Sequence, residues 1–99
     1  MLELAKINAI VNKAASAVLK RQASVTRVVS EPALDSQGQE ALRITIVLKT
    51  DNIDKITGDS ALDALVNIER ALRAAREDRF PIIDYVTEEE LASSGDAES

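Results

Sequence analysis

The run ALRITIVLK, residues 41–49, alternates Leu42, Ile44, Ile46 and Leu48 with Arg43, Thr45, Val47 and Lys49. A period of two sets the first four side chains on one side of an extended chain and the other four on the opposite side, so the segment is a half-buried strand. One strand cannot cover its own apolar face. The remaining chain has to supply further strands beside it and a layer on top of it, which confines the molecule to a layered fold.

That layer is available in two stretches. Leu4, Ile7, Val11, Ala14 and Val18 recur at steps of three and four, predicting an amphipathic helix over residues 3–21. Ala61, Leu65, Ile68, Leu72 and Ala75 do the same through residues 60–78, with Ser60 and Asp63 as a reciprocal N-terminal cap. Pro81 cannot continue this helix and disfavours helical geometry at Phe80, so it stops by about residue 79.

Two more strands are expected. ASVTRVVS, residues 23–30, is rich in β-branched residues, but Val25 and Val29 share a face with Arg27 while Val28 points the other way, which leaves its register open. EPALDSQGQE then carries Pro32, Asp35 and Gly38 and reads as the long loop of a hairpin. IIDYV, residues 82–86, is a short strand with apolar residues on both faces, and Phe80 just before it is expected to close the core. Thr87 and Glu90 repeat the cap pattern and suggest one turn of helix.

These pieces predict an α+β two-layer sandwich in the order α-β-β-α-β. Placing the third strand beside the first gives a small antiparallel three-stranded sheet, in spatial order second, first, third, with two helices on one face. Residues 1–91 form one domain, a chain of 99 residues being too short for two cores, and the polar residues 92–99 form a disordered acidic tail.

Charge follows the same division. The formal charge is −5, yet residues 1–87 are neutral in sum, and Glu88, Glu89, Glu90, Asp96 and Glu98 account for all of it. Nucleic-acid binding wants a net positive footprint and exposed aromatics for stacking, and the chain offers neither. No apolar run approaches the roughly 20 residues of a membrane span. The start of the chain lacks a basic region ahead of an unbroken apolar core, so it reads as mature helix rather than secretory signal. With no cysteine, a cytoplasmic location is expected.

Histidine is absent along with cysteine, which removes the common general base, the usual metal ligand and every triad built on imidazole or thiolate. Asp51, Asp54 and Asp59 cluster where oxygen ligands could hold Ca²⁺ or Mg²⁺, the basis of an alternative reading as a small carboxylate- or metal-dependent enzyme. Their spacing is wrong for an EF-hand, and acids there also suit a turn and a helix N-terminus. No cofactor is expected.

Candidate partner-binding residues are the charged ones. Lys6, Lys13 and Lys20 sit seven apart in one helical row, Arg43 lies on the polar side of the alternating strand, and Arg76 projects toward the core side of the second helix. Glu88, Glu89 and Glu90 open the acidic tail. DSQGQEALRITIVLK followed by a helix and EDRFPIIDYVTEEEL resembles small bacterial proteins that share an acidic Gly-containing turn, an alternating strand and a late Arg-Phe-Pro element. The likeness spans roughly residues 35–91 and implies a bacterial accessory protein without catalytic residues. The expected function is a noncatalytic protein–protein interaction module, accessory or antitoxin-like, bound to another protein or to a second copy of itself.

Overall fold

The computed structural model describes residues 2–19, 23–49 and 55–97, with side chains described as far as residue 92. Six elements follow in the order α1 (Leu4–Leu19), β1 (Val25–Leu34), β2 (Glu40–Leu48), α2 (Gly58–Ala74), β3 (Phe80–Thr87) and α3 (Glu88–Ala97). The α+β class and the expected helices and strands are present, with α3 as an addition at the end.

The sheet has the order β1-β2-β3. β1 pairs with β2 antiparallel, but β2 pairs with β3 parallel, so the sheet is mixed and the all-antiparallel arrangement is corrected. The reason is which strand most needs two neighbours. Leu42, Ile44, Ile46 and Leu48 are wholly buried on one face of β2, and Ala41 and Val47 on the other. β1 instead carries Pro32, which has no amide to donate, and a bulge, features that suit an edge. The chain therefore crosses through α2 to lay β3 beside β2.

That bulge also settles the register of β1. Val25 pairs with Leu48 and Arg27 with Val47, leaving Thr26 as an extra residue. Val25 and Val28 thereby face the helices together, and Arg27 and Val29 turn outward. β1 continues through Pro32 to Leu34, so the expected long loop shrinks to a tight turn. The Asp35 carboxylate accepts from the amides of Gln37 and Gln39, and Gly38 takes φ 79°, a conformation that an L side chain resists.

The core lies between this sheet and the two helices. Ile7, Val11, Ala14, Ala15 and Leu19 of α1 and Ala64, Ile68 and Leu72 of α2 pack on Val28, Leu42, Ile44, Ile46 and Leu48. The Asn67 side-chain amide donates to the Ala14 carbonyl oxygen at 2.8 Å, tying α2 to α1. α2 begins two residues earlier than expected because Thr57, not Ser60, caps it, accepting from the Ser60 amide at 3.1 Å. It also ends earlier. Arg76 turns to φ 67°, and the Arg76 and Glu77 amides donate back to the carbonyls of Arg73 and Leu72, closing the helix in a left-handed cap.

Candidate functional site

Register fixes which side chains share the face of the sheet turned away from α1 and α2. Across β1, β2 and β3 the rows on that face run Arg27, Val47, Val86, then Val29, Thr45, Asp84, then Glu31, Arg43, Ile82, and last Ala33, Ala41, Phe80. Among the described residues neither α1 nor α2 covers it, Ala41 and Val47 are buried on it, and α3 meets β2 and β3. Val29 is 45% exposed and Phe80 56% exposed, while Ile82 and Val86 are half-buried. Apolar side chains held outward on a rigid strand next to Arg43 and Glu31 make a surface suited to contact with another macromolecule.

Phe80 is therefore not core, and that expectation is corrected. Proline after it does hold the backbone extended, but β3 pairs from Phe80 itself, and the alternation of the strand then turns residue 80 to the open side and Pro81 inward. The chain reaches this point through a buried clasp. The Glu77 carboxylate accepts from the Leu2 amide at 2.8 Å, from the Arg79 amide at 3.0 Å, and from Arg79 Nε and Nη2 at 2.9 and 3.1 Å. Arg79 Nη2 also donates to the Leu2 carbonyl oxygen at 3.2 Å. Both side chains are buried, 1% exposed for Glu77 and 8% for Arg79.

Hydrogen bonding by Arg79, assisted by the Leu2 amide and opposed by burial, holds the Glu77 carboxyl down at about 2. The same bonds push the Arg79 guanidinium above its ordinary value. Glu77 thus pairs with Arg79.

Beside Phe80, a depression of about 330 Å³ is lined by Pro32, Ala33, Leu34, Glu40, Ala41 and Arg79. It extends the apolar end of the open face around the hairpin side of the sheet.

The expected charged residues do not converge on one place. Lys6 and Lys13 are exposed on α1, and Lys20 lies outside the described residues. Arg43 is exposed and belongs to the open face. Arg76 is exposed on the turn after α2, since the helix ends before it and the helical angle that aimed it at the core does not apply. Glu90 closes a capping box, accepting from the Thr87 amide at 3.1 Å while Thr87 Oγ1 accepts from the Glu90 amide at 3.1 Å. Glu88 Oε1 accepts from Thr26 Oγ1 at 2.8 Å and lies 3.8 Å from Arg27 Nε, and Glu89 is exposed. The acids at 88–90 meet the bulge of β1 rather than the lysine row or Arg76.

Of the aspartates weighed as metal ligands, Asp51 and Asp54 lie outside the described residues, and Asp59 is exposed in the first turn of α2. Among the described residues no group of three acids is placed to hold a metal ion. Tyr85, on the helix-facing side of β3, has its phenol pushed up by burial, and its hydroxyl finds no hydrogen-bond partner among the described residues. No helix among the described residues is long and apolar enough to cross a membrane.

Fold and face together define a class, a small α+β protein with α1 and α2 on one face of a mixed sheet and, among the described residues, an exposed strip around Phe80 on the other. Comparison of the chain with protein-family models, with curated proteins and with solved structures finds no match.

Proposed function

We propose that this chain is a noncatalytic protein-binding module, a cytoplasmic accessory or antitoxin-like protein of the bacterial type its sequence resembles, and that its partner docks on the open sheet face around Phe80. One observation carries the reading: the sole phenylalanine stands 56% exposed on a hydrogen-bonded strand, fixed in place by the buried Glu77 and Arg79 pair behind it. An exposed aromatic on a rigid element costs stability nothing to remove and supplies binding area at low entropic cost, the usual anchor of an interface. Ile82 and Arg43 stand in the next row of the same face, giving an apolar centre with a polar margin. A chain without histidine or cysteine has little to offer at a catalytic centre but loses nothing as a binding surface.

The test places a photo-crosslinking phenylalanine analogue at position 80 and, as a control, at position 63 on exposed α2, in cells that make the protein natively. A protein adduct specific to position 80 supports the reading. Equal labelling from both positions, or none from position 80, overturns it. Phe80→Ala should lose the adduct's competitor activity while costing about 1 kcal/mol or less in urea, well below the 3–5 kcal/mol of an emptied core site.

A further inference from the structure

We infer that two copies of this chain pair through the outer edge of β3, joining two three-stranded sheets into one of six strands. Among the described residues β3 hydrogen-bonds on one side only, to β2. Its sequence nevertheless has the composition of an interior strand. Ile82 and Val86 face one way and Ile83 and Tyr85 the other, so both faces are apolar, the pattern of a strand flanked on each side. All four are only half-buried, whereas Ile44, Ile46 and Val47 beside them on β2 are fully buried.

The two edges of the sheet differ in how they are guarded. β1 bears Pro32, the bulge at Thr26, and the charges of Arg27 and Glu31, all devices that stop another strand from adding. On β3 the proline stands at the second position, and Asp84 is the one charge in the strand. An unguarded eight-residue edge is a template for further pairing.

Charge and symmetry select a second copy as the occupant. A two-fold axis perpendicular to the sheet keeps α1 and α2 of both copies on the same side and pairs β3 antiparallel with itself. Centred on Ile83, it sets Phe80 opposite Val86 and Ile82 opposite Asp84 of the other copy. The two Asp84 carboxylates are then offset rather than facing. Arg43 shares a row with Ile82, so Asp84 of the second copy stands two strands away, about 10 Å between backbones, within reach of an extended guanidinium. The axis repeats that ion pair, and both Arg43 and Asp84 are exposed in the single chain. Seven paired residues from each copy, Phe80 to Val86, form an interface at the small end of the specific range, so the dimer should dissociate on dilution.

This inference stands independently of the partner proposed for Phe80, because it concerns the purified chain alone. Sedimentation equilibrium across a concentration series should give a reversible monomer–dimer equilibrium, with the heavier species at twice 10.7 kDa. Arg43→Glu and Asp84→Arg should each weaken dimerisation at least tenfold, and the two combined should restore it to within a few-fold of the original. Thermal melts of each variant check that it folds. Hydrogen exchange of β3 backbone amides should slow as concentration rises. A chain that stays monomeric throughout, or a dimer indifferent to both charge reversals with no change in β3 exchange, overturns the inference.

Discussion

Arg76 holds φ 67° at the end of α2, a left-handed conformation in which a Cβ crowds the backbone at a cost of about 1–2 kcal/mol. The position is the one where helices closing in this manner usually place glycine. Arg76→Gly removes the crowding but adds freedom to the unfolded chain, so the net gain should be up to about 1 kcal/mol. Urea unfolding should show a raised midpoint with an unchanged slope. Neither the strain nor the early end of α2 was legible in the sequence, because the alternation of arginine and alanine continues the helical pattern past Ala74. The exposure of Phe80 was hidden in the same way. Its neighbour Pro81 fixed extended geometry there, but which face an extended residue shows depends on where pairing starts.

The cap that opens α3 is local chemistry that the sequence made readable. The Thr87 and Glu90 box forms as expected and starts α3, which then continues beyond the single turn that box implied, to Ala97. Among the described residues the hydrogen bonds and ion pair of α3 lie in its first turn, where Glu88 meets Thr26 and Arg27 and Glu90 meets Thr87. Residues beyond Ala92 are small or polar, and exposed ion pairs are worth about 0–1 kcal/mol each. Truncation after Ala92 should therefore change stability by less than about 0.5 kcal/mol in low and high salt alike. A loss that salt abolishes would mean that the acidic end is docked by charge. At the other edge, the Thr26 bulge resolves what periodicity left open, since an extra residue lets Val25 and Val28 face the core from positions three apart.

The Glu77 and Arg79 clasp joins the two ends of the fold, binding the backbone of Leu2 to a residue 75 positions away. It also gives the molecule a pH dependence of definite sign. The Glu77 carboxyl, ordinarily near 4.5, is held at about 2 when folded, so the unfolded chain binds the proton more tightly. Its stabilisation is complete above about pH 5 and is lost as pH falls through 4.5 toward 2, about 3 kcal/mol in all. Glu77→Gln should be less stable than the original protein by about 3 kcal/mol at pH 7, with the gap closing toward pH 2. Urea melts of both proteins across that range give the comparison. An equal gap at every pH would mean that the side chain acts through packing alone.

Periodicity, caps and turn residues lie within a few positions of one another, so the sequence was enough to place two amphipathic helices, the alternating strand, the hairpin connection before it and the Thr87 cap. It also marked residues 82–86 as a strand apolar on both faces. Which strand becomes the neighbour of which is a competition among distant segments, and only the packed structure decides it. β2 takes the centre, with Leu42, Ile44, Ile46 and Leu48 wholly buried on one face, while β1 carries Pro32 and a bulge, and that single outcome makes the sheet mixed, leaves β3 at an edge and turns Phe80 to solvent. The clasp has the same origin. Glu77 and Arg79 come together with Leu2 only after α2 has closed at Arg76 and the chain has folded back on itself, a contact no spacing in the sequence could announce.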